Sequence, residues 1–241
     1  MFNTTRIISA LVMIGAIIII ALVDQFFINF IVFAVLLYLS FSEAKKLFAL
    51  ENISIIPLAI AFILGSLSHK ALLFGILALL LVVGYLVYKK ASLKPALIYI
   101  YPSLPILALW QVYLDQGMFA LFWLIIIVVA CDSGAYFIGK LMGKTPFSPT
   151  SPNKTLEGVI GGLICASIIG TILGVFVYSF WLSLLCSFFV AIFAVIGDLL
   201  ESYFKREAGV KDSGDLIPGH GGALDRIDAV ILAAFVMVAL L

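Results

Sequence analysis

Carboxylates, cations and glycines suited to phosphate chemistry gather toward the C-terminal end of the chain. Asp198, Glu201, Ser202 and Lys205 follow the i, i+3, i+4, i+7 spacing of one helical face. At about 1.5 Å per residue, Asp198 stands about 10 Å deeper in that helix than Lys205. Asp225 and Asp228 form a second set, one helical turn apart. Two carboxylates on one face, facing a third from another helix, make a hard oxygen site. Magnesium suits such ligands, with water and substrate phosphates completing its shell. Between the two acidic segments lie Gly214, Gly219, Gly221 and Gly222, where backbone amides can approach an anion closely. Lys205, Arg206, Lys211 and Arg226 surround that loop with positive charge. Acids among cations and glycines look like a metal–polyphosphate site. His220 can donate a hydrogen bond to phosphate or move a proton, and the binding role is the expected one. No Walker A sequence is present, so this is not an ordinary P-loop.

Plainer accounts exist for each feature. Embedded acids can form internal ion pairs, and an Asp-x-x-Asp at a helix start can merely compensate the helix dipole. Loop cations can serve only to fix topology. Together these explain the cations but not the glycines, His220 or the embedded acids.

A second polar segment, 140–157, is stiffened by Pro146, Pro149 and Pro152. Its Ser151, Lys154 and Thr155 can hold phosphate, and Thr155 can also cap the helix that follows. Asp132 ends the apolar run 124–131 and precedes Ser133. Ionisable groups at such depth cost about 2.5–3.5 kcal/mol on insertion scales and are usually functional.

The elements that must position these groups are membrane helices. Hydrophobic residues make up 64% of the chain, charged residues 11%, and mean hydropathy is +1.26. A soluble domain is about half apolar and about a quarter charged, so this is an integral membrane protein. Nine spans are expected, at 6–23, 25–42, 53–68, 70–88, 95–114, 118–139, 158–179, 181–204 and 225–241. Strands are not expected, because lipid tolerates only helices or closed barrels, and the alternation of a barrel is missing. Nine spans leave every Lys and Arg except Lys70 on loops of one side. Positive loops stay inside, so the N-terminus is expected in the cytoplasm. The chain reads as one membrane domain over 1–241: scaffold helices in 1–117, catalytic helices and loops in 118–241. Segment 43–50 can form a short interfacial helix. Gly158, Gly161, Gly162, Gly170 and Gly174 suit close helix packing. Cys131, Cys165 and Cys186 lie in apolar runs, with neither a disulfide nor a zinc site indicated.

At these residues the chain resembles the CDP-diacylglycerol synthase (phosphatidate cytidylyltransferase) family. The resemblance rests on Ser202, Phe204, Lys205-Arg206, Lys211-Asp212, Gly214, Pro218, His220-Gly-Gly222 and Asp225-Arg-Ile-Asp228. It extends to Asp132-Ser-Gly-Ala-Tyr136, Gly143-Lys144, Ser151-Pro-Asn-Lys-Thr155, Glu157-Gly158 and Gly197-Asp198. Its motifs cover about 130–228; the earlier half matches only in hydropathy. Ala223 departs from the larger apolar residue usual there, which touches packing alone. The resemblance implies an all-α, nine-helix protein of the cell (inner) membrane with its active site facing the cytoplasm. It implies CTP and phosphatidate as substrates and CDP-diacylglycerol and pyrophosphate as products. Magnesium would sit at Asp198, Asp225 and Asp228, with room for a second cation. Lys205, Arg206, Lys211, Asp212, His220 and Arg226 would be catalytic. Asp132, Ser133, Lys144, Ser151, Lys154, Thr155, Glu157, Ser202, Gly221 and Gly222 would bind substrate. Membrane lipids and a second copy of the chain are the expected partners, and nucleic acid is not. A transporter of a phosphorylated or cationic solute, or a cytidylyltransferase for another lipid phosphate, are the competing readings.

Overall fold

The computed structural model describes residues 4–50, 53–216 and 221–241, with side chains described at position 12 and from 15 onward. Pro218, Gly219 and His220 of the expected site lie outside the described residues. Helices follow in the order α1 (Thr4–Val23), α2 (Phe26–Leu47), α3 (Ile56–Ser68), α4 (Ala71–Tyr88) and the short α5 (Ala96–Ile98). A π-helical turn (Tyr99–Ser103) leads into α6 (Leu104–Met142), then α7 (Leu156–Gly174), α8 (Phe180–Glu207) and α9 (Leu224–Leu240). Gly117, at φ +75° and ψ −170°, interrupts α6. Only glycine adopts that conformation readily, and it falls within the sequence break at 115–117.

Among the described residues, α2, α4, the stretch 96–142, α7 and α8 are long and apolar enough to cross a bilayer. Large apolar side chains such as Leu22, Leu67 and Leu81 point away from the protein, as a lipid solvent requires. The chain is an all-α membrane protein.

Three expectations are corrected. First, 43–50 is not a separate interfacial helix: α2 runs unbroken to Leu47, and Glu43, Ala44 and Leu47 are buried. Second, α6 continues through Lys140 to Met142, so the polar loop begins at Gly143. Third, that loop contains strands: β1 (Pro146–Ser148) pairs antiparallel with β2 (Ser151–Thr155), in register Pro146↔Thr155 and Ser148↔Ser151. The prohibition on strands applies to backbone in lipid; this hairpin is polar and lies between helices.

The chain forms two compact units, one of residues 1–118 and 207–227, the other of 119–206 and 228–241. In the first, Trp110 is fully buried against Phe33 and Phe62, and its indole N–H donates to Ser66 Oγ at 2.8 Å. Gln111 locks the α3–α4 turn, donating to the His69 carbonyl at 3.0 Å and accepting from Leu72 N at 3.3 Å. In the second unit, α7 lies against α6 and α8 through its glycines. A Cβ on Gly162 would meet Ala135 Cβ at 3.0 Å, and one on Gly174 would meet Ser183 Oγ at 2.7 Å. Trp123 fixes the same contact by donating to the Gly170 carbonyl at 2.7 Å. Small residues thus set the helix spacing, as their pattern predicts.

Candidate active site

The acidic face of α8 meets the start of α9 within the second unit. Gly197 makes this possible: a Cβ there would come within 3.1 Å of Ala229 Cα, so only the bare backbone lets α8 approach the Asp228–Ala229 segment. The crossing brings Glu201 beside Asp228, and places Asp132, Asp198 and Asp228 within electrostatic reach of one another. Two cations answer them. Lys154, on β2, forms an ion pair with Asp198 Oδ2. Lys205 bonds Glu201 Oε2 at 2.7 Å. Ser202 donates to Asp198 Oδ1 at 3.4 Å. Glu201 is fully buried, and its other oxygen, Oε1, meets no N–H or hydroxyl donor; the group beside it is the Asp228 carboxyl. A buried carboxylate oxygen without a donor is expensive; beside a second carboxylate it fits a place for a cation. The donor set is all oxygen, as magnesium prefers. Among the described residues, no three His, Cys, Asp or Glu side chains already converge as a preformed metal site.

A cavity of about 400 Å³ opens next to this cluster, lined by Asp132, Tyr136, Lys140, Asn153, Lys154 and Asp198. β2 of the hairpin loop forms one side of it through Asn153, Lys154 and Thr155. Glu157 closes that loop, accepting from Lys144 N at 3.1 Å, Thr145 N at 3.2 Å and Thr145 Oγ1 at 2.8 Å. Thr155 caps α7, its Oγ1 accepting from Gly158 N at 3.2 Å. Asp132, Lys154, Thr155 and Asp198 therefore share one pocket. Ser133 and Lys144 are exposed, Ser151 is half-buried in β2, and Arg206 is exposed near the end of α8.

The glycine loop is built in the first unit. Asp225 draws it together: its Oδ2 accepts from Ser213 N at 2.8 Å, Ser213 Oγ at 2.9 Å and Gly222 N at 2.8 Å. Gly221 holds φ +80°, and a Cβ there would lie 2.6 Å from Asp225 Oδ2, so no other residue fits comfortably. Lys211, Asp212 and Arg226 are exposed. A cavity of about 480 Å³ beside the loop is lined by Lys46, Asp212, Ser213 and Asp215 together with Glu43.

Glu43 is the residue that sequence reasoning missed. It comes from α2, in the half read as scaffold, and accepts from Ala223 N and Leu224 N at 2.8 Å each. A usable signal exists: Ser40, Glu43 and Leu47 share one helical face at i, i+3 and i+7, and all three are buried. An acid in phase with an apolar stripe demands a partner.

Comparison with known proteins agrees with the motifs. The chain is 42% identical over 206 residues to a phosphatidate cytidylyltransferase of Helicobacter pylori strain 26695, covering 83% of this chain and 77% of that one. It is 44% identical over 195 residues to its counterpart in H. pylori strain J99, covering 80% and 72%. A phosphatidate cytidylyltransferase of Staphylococcus haemolyticus is 48% identical over 119 residues, covering 48% of this chain and 46% of that one. Residues 4–241 match the profile of the Cytidylyltransferase family; the chain belongs to that family.

Proposed function

We propose that this protein transfers the cytidylyl group of CTP to phosphatidate, giving CDP-diacylglycerol and pyrophosphate. Family membership and relatives named for that reaction support the reading. The observation that carries it is the cluster of Asp198, Glu201 and Asp228 with Lys154 and Lys205, on and beside apolar helices. Lipid tails can remain in the bilayer while the headgroup meets a soluble nucleotide at such a site. The same reading takes the protein as nine spans in the inner membrane, N-terminus and site toward the cytoplasm, because that arrangement gathers the cationic loops on one side.

A phosphate oxygen of phosphatidate forms a new bond to the α-phosphorus of CTP. The bond to the departing pyrophosphate breaks, and the electron pair leaves with it. A phosphate monoester has a second pKa near about 6, so the nucleophile is already largely ionised and no strong base is needed. The obstacle is uniting two polyanions. Lys154 and Lys205, which pair with Asp198 and Glu201, can turn their ammonium groups to phosphate oxygens. Arg206, Lys211 and Arg226 offset charge on the leaving pyrophosphate. Asp198 and Asp228 would hold magnesium, which when bound would supply positive charge to offset that of the phosphates.

Purified protein given labelled CTP, magnesium and phosphatidate should form lipid-extractable cytidine. Asp228→Asn should lower that product by about a hundredfold or more while remaining folded. Folded wild-type protein without product sinks the reaction. Wild-type turnover by D228N sinks the metal-site assignment, and product from an isoprenoid phosphate alone reassigns the lipid.

A further inference from the structure

Glu43 has no part in the reaction derived above, yet it is among the most heavily engaged side chains of the first unit. It is 7% exposed. Its two oxygens face Ala223 N, Leu224 N and, at 3.1 Å, Ser213 Oγ. These partners lie 170 to 181 residues away in sequence, on the loop that carries Gly221 and Gly222 and at the first residue of α9. The N–H groups at the start of α9 would ordinarily be capped by a local Ser, Thr, Asp or Asn. Ala223, before α9, has no side-chain acceptor, and the N–H groups of Ala223 and Leu224 are met by Glu43 from α2.

Two further observations bind Glu43 to the loop's function. A Cβ on Gly222 would lie 2.6 Å from Glu43 Cδ, and one on Gly214 would lie 3.0 Å from Glu43 Oε1. The carboxylate behind them leaves no room for a Cβ at Gly222 unless it moves, and little at Gly214. Ser213 Oγ also sits between Glu43 Oε2 and Asp225 Oδ2, at 3.1 and 2.9 Å. A hydroxyl has one proton to give, so this group couples the two acids: what displaces one reorients the donor to the other.

We propose that Glu43 is a positioning residue for nucleotide binding, acting through Ser213 and the α9 amides to set the glycine loop and Asp225. It touches no substrate. The inference rests on the cytidylyltransferase reading, and places its effect on the CTP side of the reaction. A space-filling role and an acceptor role predict opposite orders of variants. Glu43→Gln keeps the volume but turns an amide NH2 toward groups that are themselves donors. Glu43→Asp keeps the carboxylate on a shorter stem.

The test is steady-state kinetics with CTP and phosphatidate varied separately, beside hydrogen exchange of segment 213–224. E43Q should raise KM for CTP by about tenfold or more, as expected for losing charge-assisted hydrogen bonds, and leave KM for phosphatidate nearly unchanged. E43D should recover most of that loss. Amides 222–224 should exchange faster in E43Q than in wild type and regain less protection on adding CTP with magnesium. A wild-type KM in folded E43Q, or E43D worse than E43Q, overturns the proposal. If E43Q does not accumulate folded, Ser213→Ala decides: a raised KM for CTP supports the coupling, and wild-type kinetics reduces Glu43 to a folding residue. Wild-type protein without CTP-dependent product overturns the reaction itself, a result distinct from any of these.

Discussion

In the 143–157 loop, Glu157 collects N–H groups from residues 12 and 13 positions before it, at the surface. In the loop before α9, Glu43 collects them from 180 and 181 positions after it, in a buried setting. Both loops are closed by one carboxylate gathering backbone donors. The local staple ties a loop to its own helix, and water can replace it. The distant staple makes the order of the glycine loop depend on α2, and water cannot replace it. One polar segment is therefore nearly autonomous, and the other is hostage to a helix far away in sequence.

Removing each carboxylate tests this most severely. Glu43→Ala would leave two buried N–H groups without acceptors, at about 1–3 kcal/mol each, and should lower the melting temperature in detergent sharply. Glu157→Ala exposes its donors to water and should shift the melting temperature far less. Equal shifts in thermal melting would show that distance and burial do not separate the two staples.

The same contrast explains what could be read from the sequence. Helices declare themselves by apolar runs, so α4 and α8 lie close to the expected 70–88 and 181–204, and the break at Gly117 is marked by its polar neighbours. Asp198, Glu201 and Lys205 share a face because helical periodicity is local. Lys154 meeting Asp198 joins residues 44 apart; each stands out in the sequence, but their pairing follows only from packing. The hairpin was hidden because its short strands, rich in proline and serine, carry no alternating pattern. Glu43 was hidden because its partners have no local relation to it, and an acid beside Lys45 and Lys46 resembles ordinary loop charge.

A smaller effect sharpens the link between Glu43 and the glycine loop. Gly222→Ala would press a Cβ against the Glu43 carboxyl carbon, and overpacking of this kind costs about 1–3 kcal/mol. Glu43→Ala removes the three atoms nearest to that Cβ. The double variant should then be more stable than the sum of single losses predicts, by about 0.5 kcal/mol or more. Melting curves of the four proteins measure it. Strict additivity would mean that Gly222 is glycine for a reason other than its neighbour.

A further effect concerns the autonomous loop. Thr155 Oγ1 accepts from Gly158 N at 3.2 Å and also sits against Gly139, where a Cβ would lie 3.0 Å from it. Thr155→Ala should cost about 1 kcal/mol as a lost cap, and Thr155→Ser, which keeps the oxygen, should recover most of it. Kinetics then divides the two roles of this residue. A melting shift with an unchanged KM for CTP assigns Thr155 to the cap alone. A raised KM that serine restores means the same hydroxyl serves both the helix and the nucleotide. In that case even the autonomous loop has its stability tied to its ligand, and the difference between the loops narrows to where each carboxylate comes from.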